Sequence, residues 1–280
     1  MTTPLRLARV RPLSPASPAE HFFVANDAPD FTSEAGRTWT VVETPFSGSP
    51  ANAGSAARTG WEPGDSLRQE EFVFLAPCVP ANVLGMAHNT GPAGRDLPPQ
   101  AFHKAATSVI GPGDAIELPA GSGHVDPEAE LTIVMGRRAR GLTLGTARSA
   151  VLGFTIGNDV TSRDLQKTDE LWISAKSQDT FTPVGPWIVS GLDDTDLAIS
   201  IVHNGTALKA SGSAGLGWKV DEILVYLTSF MTLHPGDLVL TGFPAECAPI
   251  VPGDTVTCRV EGIGELTNPV KAAAWEGFTA

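Results

Sequence analysis

Short apolar runs broken by Pro, Gly and Asp dominate this chain. Within residues 5–44 the runs LRLARV, HFFVAND and TWTVVET predict the strands of a small N-terminal β unit. Residues 45–65, PFSGSPANAGSAARTGWEPGD, show no period and read as a flexible loop. EFVFLAP then predicts a strand leading into a larger region. From about residue 80 onward LTIVMG, GPWIVSG, LAISIVHNG, GDLVLTG and DTVTCRVEG predict strands again. Two stretches read as helical instead. One is GTARSAVL at 145–152; the other is KVDEILVYLTSFMT at 219–232, where Val220, Ile223, Leu224 and Leu227 form one apolar stripe. No internal repeat is visible. The pattern predicts a mainly β (α+β) protein, with a small β domain over 1–75 and a larger domain over 80–280.

Composition narrows the partners. The 29 glycines and 23 prolines cut against long helices and favour strands joined by tight turns. Nineteen Lys and Arg against 31 Asp and Glu leave a net charge of −12, which argues against nucleic acid or an anionic membrane as a partner. An anionic substrate would need a local cation to hold it. Cys78, Cys247 and Cys258 are odd in number and lack metal-ligand spacing, so free thiols in a reducing compartment are expected. No signal-peptide core or membrane-length apolar run is present, and a soluble cytoplasmic protein is expected.

The chemistry concentrates in two segments. In HVDPEAELTIVMG a strand starting near Glu128 would point Glu128 and Glu130 to the same face. Burying two such carboxylates is costly unless a cation lies between them, and Asp159 in GFTIGNDVTSRDLQ could complete an all-oxygen site for Mg²⁺. A solvated strand face carrying two glutamates fits the same spacing. Arg163 and Gln166 follow Asp159 at plus four and plus seven, and a helical turn there, N-capped by Thr161 or Ser162, would turn both towards one site. Arg163 suits a substrate carboxylate; a surface salt bridge is the other reading.

Several separated segments together resemble the fumarylacetoacetate hydrolase superfamily: KAATSVIGPGDAIELP, VDPEAELTIVMGRRAR, GFTIGNDVTSRDLQ, AKSQDTFTPVGPWIV, PGDLVLTGFP and VEGIGELTNPV. They cover roughly residues 80–275 in the family's order. The resemblance implies a mixed β-roll catalytic domain behind a small N-terminal domain, often in a homodimer. It implies Mg²⁺ or Mn²⁺ held by Glu128, Glu130 and Asp159, and small-molecule substrates that are 2-oxo or 1,3-dicarbonyl acids. Lys176 falls at the family's active-site lysine position, and Thr241 with Gly242 at its substrate-contacting turn. The reactions implied are C–C hydrolysis, decarboxylation and enol–keto isomerisation, all of which pass through an enolate.

The chain departs from that pattern in two places. Hydrolytic members carry a lid with Gly, Asn, an aromatic residue and then a His that works with a Glu on water. Here, counting from Gly85, Ala87 and His88 replace the Asn–aromatic pair and Gly91 stands where the His is expected. His88 and His103, in the same segment, become the candidate bases on a Gly/Pro-rich lid. In TGFPAECAP, Glu246 replaces a small turn residue and is a candidate acid/base. His124 is a weaker candidate, while His21, His203 and His234 read as structural. The leading expectation is a metal-dependent C–C hydrolase. A decarboxylase or tautomerase using the same site is the alternative, and a catalytically silent relative is the third.

Overall fold

The computed structural model describes residues 4–13, 20–29, 33–54, 60–90 and 95–276. Its backbone is a long mixed sheet packed against a second, six-stranded sheet. The long sheet places Ala129–Met135 between Val151–Asn158 and Leu238–Leu240, both antiparallel to it. Outward on one side come Val83–Ala87 and Gln100–Lys104; on the other, Thr182–Ser190 and then Leu5–Pro12. Every residue of Ala129–Met135 is buried, as expected for a strand covered on both faces. Leu131 and Ile133 share one core cluster with Ile199, Ile201, Val256 and Cys258 of the second sheet.

The N-terminal strands form where the apolar runs predict them, at Leu5–Pro12, Phe22–Asn26 and Thr38–Val42. They extend the long sheet, since Leu5–Pro12 pairs antiparallel with Thr182–Ser190 in the register Leu5 to Ser190. The described parts of the expected flexible loop are anchored. Phe46 and Asn52 are fully buried, and the Asn52 side chain both donates to the Val79 carbonyl (2.9 Å) and accepts its amide (2.7 Å). Residues 55–59 of that loop lie outside the described residues.

The helix over 219–232 appears as Val220–Phe230 and buries the four predicted stripe residues. The other helical expectation does not hold. Ala147–Ala150 is a single 3₁₀ turn, and Val151 already pairs with Met135 as a strand. Pairing overrides local propensity there. The stretch read as a lid also differs: Val83–Ala87 and Gln100–Lys104 are antiparallel partners within the long sheet. Their close approach depends on Gly85, where a Cβ would come within 2.2 Å of the Phe102 ring. The strand Gly264–Glu276 has no counterpart in the predicted set; Pro269 interrupts its apolar pattern.

Candidate active site

Glu128 and Glu130 stand at the start of the central strand, and register brings Asp159 to them. Ala129 pairs with Asn158, so Asp159 emerges beside Glu128 and its amide donates to the Glu128 carbonyl at 2.9 Å. One oxygen from each of the three carboxylates falls within 4.8 Å of the others. Glu130 is held from the far side by the Gly242 amide at 2.6 Å. Gly242 sits at φ +116°, and a Cβ there would press to 3.2 Å on Asn89. Asn89, almost fully buried, donates to the carbonyls of Thr241 (2.7 Å) and Trp218 (3.0 Å) and so fixes this turn.

Three cations answer the carboxylates. The Lys176 ammonium donates to Glu128 (2.9 Å) and Asp159 (2.5 Å), and the fully buried Lys104 takes the other Asp159 oxygen at 2.7 Å. Arg163 bonds Glu128 at 2.8 Å, Asp126 at 2.7 Å and Gln166 at 3.1 Å, and Asp126 in turn meets His124 at 2.7 Å. Burial raises the Glu130 carboxyl well above the usual range, reinforced by the charges of Asp159 and Glu128. Burial acts the same way on Asp159, but Lys104 and Lys176 outweigh it and hold that carboxyl below the ordinary value. Lys176 is pushed up to about 12, since Asp159 and Glu128 outweigh its desolvation. Lys104 is lowered by its burial.

This donor set fits a hard divalent cation. It is all carboxylate oxygen, mostly buried, and unfavourable in its fully charged form until more positive charge lies among the three groups. Glu128, Glu130 and Asp159 would hold the ion.

The cluster forms the floor of a cavity of about 430 Å³. Met86, Phe102, Trp172 and Phe243 give it an apolar wall. The Phe102 ring lies under the Lys176 ammonium at 4.7 Å, and Trp172 stands edge-on to both Phe102 (5.7 Å) and His88 (5.4 Å). Of the candidates read from sequence, the cavity brings together His88, Lys176, Arg163, Gln166 and Gly242 with the three carboxylates.

The other candidates fall elsewhere. Thr241 is buried with its hydroxyl donating to the Leu131 carbonyl, so it supports the turn. His103 is exposed on a sheet strand where Phe102 and Lys104 face the site, and alternation turns its ring away. Glu246 is exposed and outside the cavity lining. Arg163 braces Glu128 and Asp126 with the bonds expected to grip substrate. Ser162 precedes the Arg163–Thr168 helix, but neither hydroxyl caps it: Ser162 donates to the Ser122 carbonyl and Thr161 to Glu128. His203 pairs with Asp254, a structural role. Gly91 lies outside the described residues.

Lys104, Asn89 and Asp126 were not singled out by their sequence context. Two had a usable signal. The alternation that selects Glu128 and Glu130 reaches back to Asp126, and that which turns Phe102 inward carries Lys104 with it.

Fold and site thus define a β-roll protein with a buried triple-carboxylate floor. The sequence model described as "Fumarylacetoacetate (FAA) hydrolase C-terminal" matches residues 76–271, and the chain belongs to that family of enzymes. It is similar to the 2-hydroxyhepta-2,4-diene-1,7-dioate isomerase structure from Mycobacterium marinum, with 36% identity, TM-score 0.81, and coverage of 96% of this chain and 99% of that one. It is also similar to the 5-carboxymethyl-2-hydroxymuconate delta-isomerase structure from Mycobacterium smegmatis, with 35% identity, TM-score 0.82, and coverage of 96% and 100%. Among curated proteins it is 34% identical over 223 residues to the mitochondrial oxaloacetate tautomerase FAHD2A of Bos taurus, covering 73% of this chain and 71% of that protein. Among the described residues no helix is long and apolar enough to cross a membrane.

Proposed function

We propose that this chain is a divalent-cation-dependent isomerase that interconverts enol and keto forms of a 2-oxo dicarboxylic acid. The observation that carries this reading is the single imidazole on the cavity. Among the described lining residues His88 is the one histidine, while His103 and Glu246, the other acid/base candidates, lie outside the lining. One monoprotic group at the mouth suits moving a proton between two positions of an enolate. Hydrolysis needs a second group to orient water as well. The isomerase and tautomerase relatives support the same choice.

In this reading Glu128, Glu130 and Asp159 would hold the cation, which when bound would supply Lewis-acid stabilisation of an enolate. Lys176 adds positive charge beside them and keeps two of the carboxylates aligned. Arg163 fixes Glu128 from the other side. The apolar wall of Phe102, Trp172 and Phe243 keeps water from the bound chain. His88, held against Trp172, takes the proton from the carbon beside the 2-oxo group and delivers it to the enolate oxygen, and runs the reverse transfer for the enol. A homodimer belongs to the proposal as the family resemblance implies it, and light scattering tests it separately.

The test uses metal-stripped protein with Mg²⁺ or Mn²⁺ restored, following the enol and diketo absorbance of oxaloacetate and of 2-hydroxyhepta-2,4-diene-1,7-dioate with product identification. Cation-dependent exchange with the carbon skeleton intact is expected. Cleavage into two acids would replace the proposal with C–C hydrolysis, and carbon dioxide release would replace it with decarboxylation.

A further inference from the structure

Charge on the cavity is unevenly spent. Lys104, Lys176 and Arg163 are each bound to carboxylates of the floor and its brace, namely Asp126, Glu128 and Asp159. Lys167 also lines the cavity, and its situation is different. Its partner is Asp164 at 3.1 Å, with side chains 73% and 54% exposed. An exposed pair of that kind holds its lysine weakly. Asp164 has a second donor, since it also accepts the His124 amide at 3.0 Å. Lys167 can therefore leave it at little cost.

Position tells what Lys167 can reach. It follows Arg163 by four residues in the helix Arg163–Thr168, on the same face and about 6 Å further along the axis, while Thr161 just before that helix and Arg163 at its start bond Glu128. An extended chain advances about 3.5 Å per three bonds. The offset between Arg163 and Lys167 therefore equals about five bonds of an extended chain. The same cavity is lined by Met86, Phe102, Trp172 and Phe243, which suit methylene or diene carbons and no charge.

We propose that Lys167 is the subsite for the distal carboxylate of the substrate, and that it selects six- or seven-carbon 2-oxo dicarboxylates over four-carbon ones and over monoacids. This deepens the isomerase reading and rests on it for the position of the 2-oxo acid head. Lys167 is a specificity residue, distinct from the groups that handle the proton.

Calorimetric binding to the Mg²⁺-loaded protein tests the inference without requiring turnover. The probes are 2-oxoadipate and 2-oxohexanoate, equal in length and differing by the distal carboxylate. The wild type is expected to prefer 2-oxoadipate by about tenfold, the size of one charge-assisted contact at a partly exposed site. That preference should fall as salt is raised. Lys167→Met should remove it by weakening 2-oxoadipate alone, with 2-oxohexanoate moved less than twofold, and Lys167→Arg should restore it. No preference in the wild type, or equal loss for both probes in Lys167→Met, would overturn the inference. Because binding is read directly, absence of enol–keto exchange would defeat the isomerase proposal and leave this result to stand on its own.

Discussion

The sharpest consequence of the carboxylate floor is that the metal-free protein should lose stability as pH rises, and that one residue should account for it. Glu130 is almost fully buried; among the described residues the Gly242 amide is the one hydrogen-bond donor to its carboxylate, while both lysines bond Asp159 and Glu128. Its folded carboxyl is raised well above the ordinary value. Between about pH 4.3, where a free glutamate gives up its proton, and that raised value, the folded chain keeps a proton the unfolded chain has lost. Stability then falls with rising pH by about 1.4 kcal/mol per unit from this group, the slope for one proton. Asp159 is shifted the other way, so its contribution is present above about pH 3.9 and disappears only as pH falls through its lower folded value. It is flat across the window in which Glu130 acts. The assay is urea unfolding of chelator-treated protein from pH 5 to 8, for the wild type and for Glu130→Gln. Glutamine keeps an oxygen for the Gly242 amide and cannot ionise. The stability difference between the two should tilt by about 1.4 kcal/mol per unit in favour of the variant as pH rises. Saturating Mg²⁺ should reverse the ranking and release about one proton on binding to the wild type. Parallel pH curves without metal would refute the reasoning, because they would mean that Lys176 and Lys104 already keep all three carboxylates ionised.

Three further expectations follow from single contacts. Lys104→Met removes a buried ammonium from Asp159 and should cost about 3 kcal/mol in urea unfolding at neutral pH, whereas a loss within experimental error would mean Lys176 suffices for both oxygens. Asn89→Leu strands the carbonyls of Thr241 and Trp218 and the Trp218 amide, and should cost about 3 kcal/mol in the same measurement while weakening Mg²⁺ binding through the loosened Gly242 turn. His88→Asn keeps a residue tolerant of the left-handed backbone at φ +56° and deletes the imidazole; enol–keto exchange should fall about a hundredfold with Mg²⁺ affinity unchanged, and an unaltered rate would exclude His88 as the proton carrier.

Much of the site could be read from the sequence because its floor obeys strand periodicity. Glu128 and Glu130 share a face by the period of two, and Asp159 comes at the end of the apolar run that pairs with them. The stripe Val220, Ile223, Leu224 and Leu227 was legible for the corresponding reason in a helix. Misreadings arose where pairing partners decide the outcome. Residues 145–152 carry helix formers, yet Val151 is consumed by pairing with Met135 of the central strand. Gln100–Lys104 looks like the end of a polar lid until Val83–Ala87 is set beside it, and only then does His103 face outward while Lys104 faces Asp159. Arg163 shows the same dependence on the fold. Its charge suits a substrate carboxylate or a salt bridge, and the acids it meets, Asp126 and Glu128, reach it only through the fold.

The division between floor and mouth explains how a single architecture can serve related reactions. The floor residues Glu130, Asp159, Lys104 and Lys176 are almost fully buried and bound to one another or to main chain, so replacing any of them disturbs the rest. The mouth is built differently. His88 and Trp172 are non-glycine residues in the left-handed region, at φ +56° and +58°, and their rings meet at 5.4 Å. For a bulky Trp that backbone is unusual and costs of order 1 kcal/mol or more, so the neighbouring packing must hold it there. That packing is with Phe102, whose ring also lies beneath Lys176. His88 is thus carried on a turn and tied to the floor through one aromatic stack. A substitution on that turn can change which proton moves while the cation-holding carboxylates stay where they are. The reverse does not hold, because Glu128, Asp159, Lys104 and Lys176 share charge partners and Glu130 leans on the Gly242 turn.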